Sequence, residues 1–535
     1  MSLTLGRDLV VLIGQPDDEA IERFRPAGKE RFLVLVPRER ESAALTDVAT
    51  VVNTSADLFA AILELRGALP AEIVLQRTRD PWATVARHRA AAQTVKEALQ
   101  SKHVQNLTVA EAGKTWLLQG LENLPAIARQ PSIAALRGAF AGVPAVIISP
   151  GPSLSKNVHQ LAALENHALL ISGTHSLTAL AAAGVVPDLV VAADPGDLAR
   201  HYESVDLSAV EAFIVGATCR PEVFDVPARR VFSFASNGQI DDWIFDALDE
   251  DTALAAGGSV ACSQLSLAVH LGCDPVVFVG QDLSFTDRYY AKEGLDGDAR
   301  VEAADAGSFV LRKGAGATGP GVLQKDGTLQ FTIPQKILQV PGYHGGTVPT
   351  TASLHVILTW FQAVAEVLAG KPRLINSTEG GARIRGMEQL PLESIVAEHG
   401  ERRLDVGAIL DQACAACDPA DRRARLAATV AEVSAAVERS TEIARLCCHA
   451  ASRAASEPEQ LEALERLERR LSQALRPARL CSLVAHDEIV AAQEAGRTAK
   501  NLAENLAAAQ RLFQVVERAG ELLMEPLRKA RRELS

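Results

Sequence analysis

The residues able to do chemistry in this sequence cluster in short loops that follow apolar runs. Three such exits lie within residues 144–195. Ala145 to Ile148 stops at Ser149-Pro150-Gly151-Pro152-Ser153, Ala168 to Ile171 at Ser172-Gly173-Thr174, and Leu189 to Ala193 at Asp194-Pro195-Gly196. The first exit sets a glycine and a hydroxyl where a strand turns into a helix, so free backbone N–H groups and the helix dipole would meet an anion there. Gly257-Gly258-Ser259 repeats the arrangement before a second helix. Neither turn is a dinucleotide fingerprint, because no third glycine follows at the right place. Two such turns in one sheet favour a nucleotide site over tight structural turns. Carboxylates also stand at strand ends: Asp194, and Asp282 in Gly280-Gln281-Asp282, suit contacts with a ribose, base or acceptor, whereas Asp188 reads as a helix cap. Tyr289 and Tyr290 can donate hydrogen bonds to a departing phosphate, or pack as aromatics under a flap.

These loops need a scaffold, and the order of apolar runs supplies one. Strand, helix, strand, helix, strand across residues 145–193 predicts a parallel sheet, with helices over 154–164 and 177–183. In such sheets ligands sit at the carboxyl ends of the strands. Further runs at Ala212 to Val215, Val231 to Phe234, Val276 to Val279 and Arg373 to Ile375 extend the sheet, and helices are expected over 260–270 and 352–368. The Gly-rich and acidic segment from Lys292 to Thr328, including Gly314 to Gly321, offers little to a core and reads as a flap or insertion. Upstream, Leu9 to Ile13, Phe32 to Val36, Thr50 to Val52 and Ile73 to Leu75 form a small α/β domain. Beyond Leu390 the composition turns to Ala, Glu, Arg and Leu at helical spacing, punctuated by Pro458, Pro477 and Pro526. The resulting division is an α/β domain over 1–105, a helical connector over 106–141, a central Rossmann-like domain over 142–389, and an all-α bundle over 390–535 that packs or homodimerises.

Composition narrows the function. At 535 residues the chain exceeds one core, and a net charge of -12 argues against general nucleic-acid or anionic-membrane binding. No apolar run reaches the length of a spanning helix and the N-terminus is not a signal peptide, which predicts a cytoplasmic protein. Eight cysteines fit a reducing compartment, and Cys414 to Cys417 and Cys447-Cys448-His449 read as small core residues, not as metal ligands. Gly113-Lys114-Thr115 mimics the end of a phosphate loop, but Thr108 fills the place of the required earlier glycine.

Taken together, Gly151-Pro152-Ser153-Leu154, Gly173-Thr174, Pro187-Asp188 with Asp194-Pro195, Gly257 to Ala261, His270 to Pro275 with Gly280 to Leu283, and Asn376 to Ala382 resemble the motility accessory factor proteins. These bacterial glycosyltransferases attach pseudaminic or legionaminic acid to Ser or Thr of flagellin. The resemblance covers the central domain and the order of its flanks. More remotely, that domain is similar to single-domain sialyltransferases with CMP-activated donors. It implies that Gly151, Pro152 and Ser153 lie near CMP, Gly173 and Thr174 near its phosphate or ribose, and Gly258 with Ser259 near the cytidine, with Gly257 in the same nucleotide-sugar site. Gln281, Asp282 and Glu379 complete the implied donor site. Asp194 stands where that group carries Asn, and Tyr290 matches one of two tyrosines that steady the phosphate. The nearest match to the expected histidine is His344, so the base is ranked His344, then Asp282, then Asp194. The donor implied is a CMP-nonulosonic acid, the acceptor is flagellin or another surface protein, and no metal is required. Two alternatives stay open: an ATP- and Mg²⁺-dependent 6-hydroxymethylpterin pyrophosphokinase, with Asp194 and Asp282 on the metal, and a non-catalytic flagellin-binding protein.

Overall fold

A computed structural model describes residues 8–535 apart from 28, 64, 66–69, 71, 237–239, 256, 306, 314–321, 324–328, 331–334, 369, 401–402, 455, 458 and 476–479. The glycine run 314–321, Pro458 and Pro477 therefore lie outside the described residues. The chain divides into two compact units, residues 1–115 with 432–525, and residues 116–431 with 526–535.

In the first unit, β1 (Asp8–Ile13), β2 (Phe32–Leu35), β3 (Thr50–Val52) and β4 (Glu72–Arg77) form a parallel sheet in the order β3-β2-β1-β4. β1 and β2 are apolar and almost wholly buried, as parallel strands covered on both faces must be. β4 is different, because its residues are exposed or half-buried throughout. Among the described residues most of the rest of this unit is helical, including Glu459–Leu475 and His486–Thr498.

The second unit is built on an eight-stranded sheet. β5 (Ala145–Ile148), β6 (Leu169–Gly173), β7 (Leu189–Ala192), β8 (Ala212–Gly216) and β9 (Val231–Phe234) run outward in chain order from one side of β5. β10 (Val276–Val279), then Leu374–Asn376 and Glu388–Gln389, lie on the other side. Each pairing is parallel. Strand order therefore reverses between β5 and β10, and the crevice outside their carboxyl ends is where such sheets receive ligands. β5, β6, β7 and β10 bury apolar side chains on both faces, against the Val260–His270 and Ala352–Leu368 helices on one side, where Phe278 meets Phe361 edge-on at 5.4 Å.

Several expectations need correction. Residues 154–164 are not one helix: an α-turn, Leu154–Asn157, gives way to a 3-10 segment, Val158–Leu164. The apolar spacing there is i, i+3, i+6, with Val158, Leu161 and Leu164 buried, which suits three residues per turn. The connector expected over 106–141 is in large part the second half of one long helix, Val85–Arg129, which carries Gly113-Lys114-Thr115 in its interior, so no phosphate loop forms. Pro526 does not end a segment, since it lies inside the Leu502–Leu534 helix. The 292–328 segment is more than a flap: it contributes the Arg300–Asp305 and Ser308–Lys313 hairpin, and Asp296, Ala299 and Phe309 are each at most 2% exposed.

Candidate functional site

Three loops close on one another at the strand-order reversal. Ser153 donates its hydroxyl to the Asp282 carboxylate at 2.5 Å and its backbone N–H to the same group at 3.1 Å. The Ser149 hydroxyl bonds the Gln281 side chain, and the Gln281 N–H donates to Thr378 Oγ1 at 3.0 Å. Gly151 N–H donates to the Gly280 carbonyl at 3.0 Å. The glycines here are demanded by space: a Cβ on Gly151 would strike Asp282 and Gly280, and one on Gly380 would strike the Ser153 hydroxyl. Asp282 is 3% exposed, and burial pushes its carboxyl up to about 6 against the opposing pull of the Ser153 hydrogen bonds. It organises the first exit loop from inside.

A second cluster stands at the ends of β6 and β7. Thr174 Oγ1 lies 2.9 Å from His201 Nδ1. The His175 ring lies 5.0 Å from that of His201 and stacks on Tyr290 at 4.6 Å. Asp296, 2% exposed, brings Oδ2 to 3.1 Å from His175 Nε2, an ion-pair distance without hydrogen-bond alignment, and Arg200 approaches Asp296 at 3.9 Å. Tyr290 is carried there because the chain beyond β10 folds back over the first exit loop: Ala291 N–H donates to the Pro150 carbonyl and Lys292 N–H to Ser155 Oγ, both at 2.9 Å. Burial, then the nearby His175 and Arg200, hold His201 down to about 4, so it is neutral at physiological pH. Burial raises the Tyr290 phenol well above its ordinary range, keeping it a hydrogen-bond donor.

Sequence reasoning passed over His175, His201, Arg200 and Asp296. The available signal was a histidine directly after the Gly173-Thr174 exit, in a chain with only 12 histidines. Of the residues it did single out, Gly151, Pro152, Ser153, Gln281 and Asp282 meet in the crevice, and Thr174 and Tyr290 join the second cluster. Gly173 lies beside the Val260–His270 helix, whose start Ser259 caps by accepting the Ala261 N–H. Gln264 of that helix is 1% exposed, its Nε2 lacks a partner, and it sits 3.6 Å from where a Gly173 Cβ would be. Gly257 is walled in by Cys262 and Trp360, while Gly258 takes a φ of +81°. Glu379 turns inward, accepting from Asn157 Nδ2 at 3.1 Å and from the Leu392 N–H at 3.0 Å. Asp194 accepts the N–H of its own neighbour Gly196 at 2.7 Å. His344 is exposed, on the turn between Leu338–Pro341 and Thr347–Thr350, with Nε2 3.1 Å from the Glu379 carbonyl. Asp188 is not a helix cap: it stands at the amino end of β7, accepts the Leu170 N–H at 2.8 Å, and burial raises its carboxyl to about 7.

The Cys414 to Cys417 and Cys447 to His449 pairs join no group of three or more ligating side chains among the described residues. Nor is any described helix long and apolar enough to cross a membrane.

Residues 118–288 match the family model described as MptE-like, 6-hydroxymethylpterin diphosphokinase MptE-like. The structure is similar to that of a MAf glycosyltransferase from Magnetospirillum magneticum AMB-1, with a TM-score of 0.53 and 14% identity over 99% of this chain and 81% of that one. The fold is that of a MAf glycosyltransferase. Identity this low carries the architecture alone. No curated protein sequence matches the chain significantly.

Proposed function

We propose that the protein is a glycosyltransferase that moves a nonulosonic acid, of the pseudaminic or legionaminic type, from its CMP conjugate to a Ser or Thr hydroxyl of flagellin or another surface protein, in the cytoplasm. The observation that carries this reading is the cluster of His175, Asp296 and Tyr290 beside the Ser149 to Ser153 loop at the strand-order reversal. The N–H groups of that loop are spent within the fold, Ser149 on the Val279 carbonyl, Gly151 on the Gly280 carbonyl and Ser153 on Asp282, so it is the Tyr290 phenol that suits a departing CMP phosphate, and the unpartnered Gln264 amide suits an acceptor atom of the nucleotide.

The base in this proposal is His175 in place of His344, because His175 has a buried carboxylate behind it and His344 faces solvent. The ring takes the acceptor proton as the hydroxyl oxygen attacks the anomeric carbon, the bond to the CMP phosphate breaks, and Asp296 offsets the charge that develops on the imidazole. Attack from the face opposite CMP inverts the anomeric centre. Asp282 has its oxygens engaged by Ser153 and Asp194 has one engaged by Gly196, which suits them to shaping loops.

The MptE-like match favours a second reading, ATP- and Mg²⁺-dependent pyrophosphoryl transfer to a hydroxymethylpterin. Calorimetry separates the two. The proposal expects CMP to bind without metal and ATP with Mg²⁺ to give no heat; binding of ATP with Mg²⁺ but not of CMP overturns it.

A further inference from the structure

β4 is the edge of the first unit's sheet, and among the described residues it pairs on one side only, with β1. Parallel strands are normally covered on both faces, and exposed edges are usually blunted. Here the middle of the edge is Ile73-Val74-Leu75, and Ile73 is 46% exposed. Beside it runs an apolar groove of about 520 Å³, walled by Ile73, Leu75, Val95 and Leu99. Directly beyond, at the carboxyl end of the strand, a polar cavity of about 530 Å³ is lined by Arg77, Arg79 and His88. The two hollows share Leu75, so apolar and basic subsites follow one another along a single strand edge. Asp80, also at the polar hollow, does not cancel this charge. It is paired with Arg40 at 2.6 Å and accepts the N–H groups of Gln15 and Trp82, and those hydrogen bonds hold its carboxyl down to about 2.

We propose that this edge binds an extended peptide by strand addition, with apolar side chains of the peptide in the groove and a carboxylate next to them held by Arg77 and Arg79. Backbone pairing with β4 supplies affinity that is indifferent to sequence, and the two hollows select an apolar-then-acidic order. A basic stripe on a chain of net charge -12 is the complementarity that chooses an acidic peptide. The proposal is independent of the transfer reaction.

The test uses the full chain and a fluorescein-labelled peptide, Ser-Thr-Val-Thr-Val-Thr-Asp-Glu, with a second in which Lys-Lys replaces the acidic pair. Anisotropy is expected to rise with the acidic peptide, and Arg79→Glu, an exposed substitution, to weaken it at least tenfold while strengthening the Lys peptide. Ile73→Asp should weaken both, with melting temperatures of the variants unchanged. Absence of binding, or equal binding of both peptides by wild type and Arg79→Glu, overturns the proposal. So does a wild-type dimer that Ile73→Asp converts to monomer, because a second copy would then cover the edge.

Discussion

Removing the Ser153 hydroxyl should destabilise the protein more at alkaline than at acid pH. In Ser153→Ala the buried Asp282 keeps the backbone N–H at 3.1 Å and loses the hydroxyl at 2.5 Å. Depriving a buried ionised group of a donor costs roughly 2–3 kcal/mol, and a neutral one about 1 kcal/mol. Asp282 titrates near pH 6, with its folded-state value above the ordinary carboxylate, so its ionisation weakens the fold as pH rises from about 4 through 6. Ser153 opposes that rise, so the variant moves the group higher still and enlarges the loss. Each unit of additional rise adds about 1.4 kcal/mol to the cost above the new titration point. The cost of Ser153→Ala should therefore be about 1 kcal/mol at pH 5 and about 2–3 kcal/mol at pH 8.5. Urea denaturation followed by the fluorescence of Trp243 and Trp360, both in the same unit as the site, measures it. An equal cost at both pH values, or a larger one at pH 5, would refute the argument that Ser153 sustains a buried carboxylate.

Other expectations follow from the same geometry. His201 is held well below its ordinary value, so its contribution to stability is present above about pH 6.5 and fades as pH falls toward 4; His201→Gln should flatten the dependence of melting temperature on pH over that window, and an unchanged slope would count against a buried neutral ring. Gln264→Leu should raise the melting temperature, because it removes an unsatisfied buried amide, while weakening CMP binding several-fold by calorimetry; a loss of both would mean the amide has an internal role. Gly380→Ala drives a methyl into the Ser153 hydroxyl and should reduce CMP affinity at least tenfold, and unaltered affinity would detach that loop from the site.

Much of the sheet was legible because buried parallel strands are short apolar runs that end in Gly, Pro or Asp. Ala145–Ile148, Val231–Phe234 and Val276–Val279 coincide with their runs, and so does the helix over Val260–His270. The site was legible only where one loop carries its own signal, as Gly151 to Ser153 does. His175, His201 and Asp296 belong to three separate loops and meet only once β6, β7 and the chain beyond β10 are assembled, so no local spacing announces them. Asp296 was hidden further by its acidic, glycine-rich surroundings, which read as solvent-facing. The 154–164 segment failed for a different reason. Asn157 directs its amide to the Ser377 carbonyl and to Glu379, and these tertiary bonds accompany a break from α to 3-10 geometry that helical propensity does not foresee.

The central claim is sugar transfer at the crevice between β5 and β10 with His175 as base. Its most direct test is the intact mass of flagellin co-expressed with the protein in cells that make a CMP-nonulosonic acid. Wild type should add the mass of one or more nonulosonic acid residues, and His175→Ala should add none while still binding CMP. Flagellin left unmodified by wild type, or modified equally by His175→Ala, would contradict the account.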